Sequence, residues 1–270
     1  MRKIGFSLKV NSGKIIVDLE KAITTGFTHI ELKWKKFSSQ NEQKELITHL
    51  LDMDWHGISL SLHTPLQNVN ISALSQVERK KSVARINEVI SISKELDTKF
   101  VVLHGGKIPA GLPRDQKTRE KAFVAQLESI NEISLYCKEH GILIALENGY
   151  SLNDLGLLTS IDDMAHIAEF VDGLSFLLDI GHFILNSPLQ NIRKQLENYP
   201  HLQFSAIHLH DNKQIADDHL SLGEGILLRQ EKELKAILES INTCPIIIEC
   251  TSLTAALKTR SILLKRHLLR

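Results

Sequence analysis

Along its length the chain alternates two hydrophobic patterns: short apolar runs rich in β-branched residues, and longer segments with apolar residues at i, i+3, i+4 and i+7. The first pattern predicts buried strands and the second predicts amphipathic helices. Eight strands are predicted, over Lys3–Leu8, His29–Lys33, Gly57–His63, Phe100–His104, Ile142–Glu147, Leu174–Asp179, Gln203–Leu209 and Pro245–Glu249. Helical spacing is plain over Gln76–Leu96 and Thr118–His140. Runs such as FVVLH and PIIIE are apolar on both faces, as in parallel strands covered by helices outside and packed against side chains inside.

Eight strands each followed by a helix predict an α/β chain closed into a (β/α)8 TIM barrel. An open doubly wound sheet has fewer strands and a glycine-rich phosphate loop after the first, and the chain contains neither GxGxxG nor GxxxxGKS/T. Its 270 residues suit the ~250 usual for the barrel. No Pro-, Gly- or Ser-rich linker interrupts them, so one domain over 1–270 is expected.

The predicted strands end on polar residues. SLSLH ends at His63, VVLH at His104, LIALE at Glu147, FLLD at Asp179 and IIIE at Glu249, while AIHLH carries His208 and His210. A buried charge is costly, on the order of several kcal/mol, unless it is paired or bound to a metal. Strand C-termini converge at one mouth of such a barrel, so these residues predict a metal centre there. Imidazole with carboxylate suits Zn²⁺, Mn²⁺ or Fe²⁺, and the lack of thiolate at these positions argues against iron–sulfur or Cu(I) sites.

Composition narrows the reading. Lys plus Arg and Asp plus Glu are 32 each, so no whole-molecule positive field draws the chain to nucleic acid or an anionic membrane. Cys137, Cys244 and Cys250 are odd in number and scattered, which argues against a disulfide framework. MRKIGFSLKV lacks the apolar core of a signal peptide, and no stretch approaches the ~20 apolar residues of a membrane span. A cytoplasmic location with no membrane partner is the default expectation.

The strings SLHTP, VVLHGG, ALENG, LLDIGH, IHLHDN, DDHLSLGEG and IIIE resemble the xylose-isomerase-like TIM-barrel superfamily. That superfamily includes sugar and sugar-phosphate isomerases and epimerases and the endonuclease IV class of abasic-site nucleases (AP endonuclease family 2). The resemblance runs from the first strand to the last. It implies that Glu147, Asp179, His208 and Glu249 hold a single metal shared by the epimerases. It further implies a second ion on His63, His104 and bridging Glu147, and a third on His182, Asp217 and His219, with Asp218 as the ligand if the loop alignment slips by one. One to three divalent ions (Zn²⁺, Mn²⁺ or Mg²⁺) are therefore expected.

Two chemistries follow from such a centre. In isomerisation or epimerisation of a sugar or sugar phosphate, Glu147 and Glu249 are the catalytic residues, exchanging a proton with carbon from opposite faces. In the alternative, an endonuclease IV-like zinc phosphodiesterase acting on nucleic acid, the full ligand set generates hydroxide. After SLHTP the chain has Leu66 and Gln67 rather than an aromatic wedge, and aromatics are only 5% of residues, which favours the first. A non-catalytic barrel would have lost ligands, and none is lost.

Other signals are left open. His210 points the same way as His208 and could line the mouth, bind substrate or support a ligand. The amides of LGEG, Leu222–Gly225, could approach a phosphate or simply turn the loop. Asn70 and Asn148 are candidates for orienting substrate or ligands. Lys33, Trp34, Lys35 and Lys36, and Lys107, Arg114 and Lys117, could bind an anion or be solvated surface. The remaining histidines, His29, His49, His56, His140, His166, His201 and His267, read as surface or packing residues. Substrate and oligomeric state are not encoded in these patterns.

Overall fold

The computed structural model describes residues 2–10, 15–35, 37, 39–150 and 155–269. Its elements run β1 (Ile4–Lys9), α1 (Ile15–Thr24), β2 (His29–Lys33), α2 (Gln40–Asp52), β3 (Ser59–His63), α3 (Gln76–Glu95), β4 (Phe100–His104) and α4 (Gln116–His140). They continue with β5 (Leu143–Glu147), α5 (Ile161–Ala168), β6 (Ser175–Asp179), α6 (Ile180–Asn186), α7 (Leu189–Asn198), β7 (Phe204–Leu209), α8 (Glu231–Ser240), β8 (Ile246–Ile248) and α9 (Leu253–Lys265). All strands pair in parallel in sequence order, and β1 closes on β8, giving the expected (β/α)8 barrel.

The strands form where apolar runs can be buried on both faces, and the helices lay their apolar stripes against the outside of the sheet. In α1, for example, Ile15, Leu19 and Ala22 recur at helical spacing and are buried. Side-chain oxygens fix several helix starts by accepting an orphan backbone N–H: Ser39 from Glu42, Ser75 from Glu78, and Ser252 from Ala255. Asp115 does the same for Thr118, so α4 begins before the predicted Thr118, which sits three residues inside the cap.

Strand periodicity then decides what faces inward. Residues two apart share a face, and the register places Ser7 beside Glu31, Glu31 beside Ser61, and Lys33 beside His63. Farther round, His104 lies beside Glu147 and Asp179 beside His208. Beneath this polar ring, Phe100, Val102, Ala145, Leu177, Ala206 and Ile247 form a separate buried cluster inside the barrel.

Two departures from the predicted boundaries have local causes. Gly57 has φ 77° and belongs to the turn before β3, a conformation that favours glycine. After β6 the chain enters α6 at once, with Asp179 serving as its N-cap and accepting the His182 N–H, before a second helix, α7. Among the described residues no helix is long and apolar enough to cross a membrane.

Candidate metal centre at the barrel mouth

All nine residues predicted as ligands meet at the C-terminal mouth, in three adjoining groups; within each group the donor atoms lie within 4.8 Å of one another. In the first group, Glu147 Oε2 lies 2.8 Å from His104 Nε2 and 3.3 Å from His63 Nε2. In the central group, His208 Nδ1 lies 2.8 Å from Glu249 Oε2, 3.0 Å from Glu147 Oε1 and 3.7 Å from Asp179 Oδ2. In the outer group, Asp217 Oδ2 lies 3.0 Å from His219 Nε2 and 3.4 Å from His182 Nε2, and His210 adjoins them. Glu147 belongs to the first two groups, as a bridging carboxylate would.

Hydrogen bonds on the far side of each ring set which nitrogen faces the centre. Nδ1 of His63 bonds the Thr64 carbonyl at 2.8 Å, that of His182 the Asn148 carbonyl at 3.0 Å, and that of His219 the Glu249 carbonyl at 2.7 Å. A carbonyl only accepts, so each Nδ1 donates and each neutral ring keeps its Nε2 lone pair for the cluster. His208 is reversed. Its Nε2 meets Glu31 Oε2 at 3.0 Å, leaving Nδ1 toward the central group.

The electrostatics would suit a cation. Glu147 Oε2, Asp179 Oδ2, Asp217 Oδ1 and Glu249 Oε2 are buried with imidazole nitrogens 2.8–3.6 Å away but without a well-aligned hydrogen bond among the described residues, an arrangement that an ion would complete. Burial pushes the Glu147 and Asp179 carboxyls up, but the His104 and His208 imidazoles hold Glu147, and His182 and His210 hold Asp179, well below the usual range. Burial favours neutral histidine, yet the Glu31 and Glu147 carboxylates carry His208 well above its ordinary value, and Asp179 leads the groups that carry His182 to about 9. A divalent ion can replace those protons. The donor set and its orphaned oxygens therefore fit such an ion.

Sequence reasoning missed Glu31, whose only signal was an acid in the middle of β2, HIELK. It is fully buried, accepts from Ser7 Oγ at 2.7 Å and orients His208. Burial would raise its carboxyl, but the His208 imidazole holds it at about 2. Lys33, read as a candidate anion binder or surface charge, instead turns its ammonium onto Glu249 Oε1. Asn148 clamps the main chain of Asp179 from both sides, accepting its N–H at 2.8 Å and donating to its carbonyl at 2.9 Å.

Other open readings resolve differently. The amides of Gly223 and Gly225, with that of Leu227, donate to the Asp211 carboxylate at 2.9–3.1 Å, so the LGEG loop is held by Asp211 and its amides are not offered to a phosphate. Asp218 accepts from the Lys213 amide at 3.4 Å, and it is Asp217 that adjoins His182 and His219. Asn70 ties the loop after β3 to Lys107 after β4 through both main-chain groups, at 2.9 and 3.1 Å. Arg114 and Lys117 are exposed, and Lys36 lies outside the described residues. His29 is buried, between Ser59 and Ser61 and stacked on Phe100.

Comparison with known proteins agrees with this architecture. An uncharacterised protein of Methanocaldococcus jannaschii, MJ1614, is 29% identical over 192 residues, covering 71% of this chain and 70% of that protein. Among solved structures, a D-tagatose 3-epimerase-like protein superposes with TM-score 0.82 at 25% identity, over 97% of this chain and 96% of its own. Endonuclease IV from Thermus thermophilus superposes with TM-score 0.69 at 16% identity, over 97% and 98%. The family model described as xylose isomerase-like TIM barrel matches residues 19–266, and the chain belongs to that family.

Proposed function

We propose that the protein is a divalent-metal-dependent isomerase or epimerase acting on a small sugar or sugar phosphate. The observation that carries this reading is the convergence of two carboxylates, Glu147 at the end of β5 and Glu249 just after β8, on His208 Nδ1. Above them opens a cavity of about 370 Å³, lined by Lys33, Asn70, His104, Tyr150, His182 and Glu249 among others. That volume falls at the low end of the roughly 300–1,000 Å³ typical of small-molecule sites. The superposition on a D-tagatose 3-epimerase-like protein supports the same substrate class.

In this reading Glu147, Asp179, His208 and Glu249 hold Zn²⁺, Mn²⁺ or Mg²⁺, and His63 with His104 and His182 with Asp217 and His219 hold up to two more. When bound, such an ion supplies Lewis-acid polarisation of a carbonyl and its neighbouring hydroxyl. Glu147, kept anionic by His104 and His208, takes a proton from the substrate carbon on one face, and Glu249 returns one on the other. Lys33 sits against Glu249, where its ammonium supplies the proton that Glu249 passes to carbon, and solvent then restores Lys33 and takes the proton from Glu147. Asn148 and Glu31 act at one remove by fixing Asp179 and His208.

Incubation of metal-loaded protein with a panel of ketoses and ketose phosphates in D₂O tests this. Deuterium should enter the carbon next to the carbonyl, and Glu147→Gln and Glu249→Gln should each abolish it. Retention of exchange in both variants would reject the assignment. A second reading, phosphodiester hydrolysis, is favoured by the complete three-group ligand set. Cleavage of an abasic-site oligonucleotide with no turnover of any sugar would establish it instead.

A further inference from the structure

His210 is the one member of the outer group whose role neither the family resemblance nor the proposed reaction uses. It follows β7, two positions beyond His208 on the same face, and is fully buried. Neither of its ring nitrogens makes a well-aligned hydrogen bond among the described residues, although Nε2 lies 3.2 Å from Asp179 Oδ1. A buried imidazole always carries at least one N–H and seeks partners for both nitrogens. Space for the ring is provided by Gly181 in α6, where any Cβ would overlap it, and the Gly181 carbonyl is fixed by Asn212 Nδ2 at 2.8 Å.

The ring is aimed at the outer group. Its Nε2 lies 3.6 Å from Asp217 Oδ1, and its plane stacks on that of His219 with centroids 4.1 Å apart. Zinc bound tetrahedrally at ~2.0–2.1 Å places neighbouring donor atoms about 3.3 Å apart. Asp217 Oδ2 lies 3.0 Å from His219 and 3.4 Å from His182, and the other oxygen of the same carboxylate, Oδ1, lies 3.6 Å from His210, all near that value.

We propose that His210 is a fourth protein ligand of the outer site, which with His182, Asp217 and His219 forms a closed His₃Asp zinc centre. This rests on the metal-centre reading above and sharpens it. Four protein donors fill a tetrahedral shell, as in structural zinc sites, whereas catalytic sites keep one position for water or substrate. The outer ion then ties the loop after β7 to α6, and reaction chemistry is confined to the groups that share Glu147. The competing role is that His210, whose Nε2 lies 3.2 Å from Asp179 Oδ1, only orients Asp179.

The experiment is a Co²⁺ and Zn²⁺ titration of chelator-stripped full-length protein, with bound metal counted by mass spectrometry. Wild type should take three equivalents. One of them should develop the strong visible absorption of tetrahedral Co²⁺ and leave it unchanged when inorganic phosphate is added. His210→Ala and His210→Asn should weaken that equivalent by more than about 100-fold, beyond the 10–100-fold typical of an orienting partner, and retain the other two. Loss of an inner equivalent instead, an outer spectrum that responds to phosphate, or three unaltered equivalents in the variants would overturn the proposal. The wild-type spectrum decides the matter even if a variant fails to fold. Wild type binding one or two ions would reject this proposal alone, and wild type binding none would reject the metal-centre reading as well.

Discussion

From β4 to β8, the barrel interior holds two layers of opposite chemistry separated by one strand repeat. Val102 lies below His104, Ala145 below Glu147, Leu177 below Asp179, Ala206 below His208 and Ile247 below Glu249. Both layers are almost wholly buried. The lower one is held by apolar burial, whereas the upper one gathers carboxylates and imidazoles whose arrangement would suit a cation. The difference shows how one strand serves both: a side chain two residues from a polar mouth residue packs the floor that keeps that residue in place. From β1 to β3 the division fails, because Ser7, Glu31, Ser59 and Ser61 carry hydrogen bonds down into the interior.

Removing the bridge of the upper layer should have the largest effect. Glu147→Gln should lower both metal content and turnover by more than the ~100-fold that bounds the loss of an outer partner. Mass spectrometry of the bound metal would show the inner sites depleted together, and depletion of only one would contradict the bridging role. The lower layer should respond in stability. Leu177→Ala should cost about 2–5 kcal/mol by leaving a cavity, read as a lower denaturation midpoint with metal stoichiometry unchanged. A fall in stoichiometry in the folded variant would mean that the layers are not separable.

Glu31 joins the two layers and should sit between these extremes. Glu31→Gln keeps the shape but removes the charge that orients His208, and should weaken the central metal about 10–100-fold. Isothermal titration would measure it, and an unchanged affinity would place Glu31 outside the centre.

Chelated protein should reveal the upper layer through pH. His182 has its pKa raised from 6.5 to about 9 in the fold, so its contribution is complete below about 6.5 and is lost as pH rises through about 9. Glu31 is lowered from 4.5 to about 2, so its contribution is complete above about 4.5 and lost as pH falls through about 2. These two groups give a stability plateau between about 4.5 and 6.5, with an alkaline decline that saturating Zn²⁺ should suppress by binding neutral imidazole. Denaturation midpoints across pH, with and without Zn²⁺, test it, and an alkaline limb unaffected by Zn²⁺ would count against it. The smallest effect is expected outside both layers. Exposed Arg114→Ala with Lys117→Ala should leave turnover within about twofold, as surface changes generally do, and a large rise in KM would restore those residues as substrate contacts.

Much of the upper layer was legible in the sequence because a polar residue ending an apolar run is conspicuous, and alternation along a strand is a local property. His63, His104, Glu147, Asp179, His208 and Glu249 stood out in that way, while His182, Asp217 and His219 came from resemblance to the family. Glu31 did not stand out, because one acid inside a five-residue strand reads equally well as a solvent-facing position. Lys33 and Asp211 were illegible for a related reason: a charge at a strand end or in a loop shows nothing of its partner, and theirs are Glu249, two strands away round the barrel, and the amides of the LGEG loop.

The sequence by itself determined the eight-strand βα alternation and the identity of most groups at the mouth. Only the tertiary structure decided which of those groups meet, which ring nitrogen each histidine turns inward, and that His210 fills the space left by Gly181. Periodicity acts within one element, whereas a metal centre is a property of several strands brought together. The closing of β8 onto β1 and the hydrogen bonds behind each ring fix those positions, and both join residues far apart in the chain.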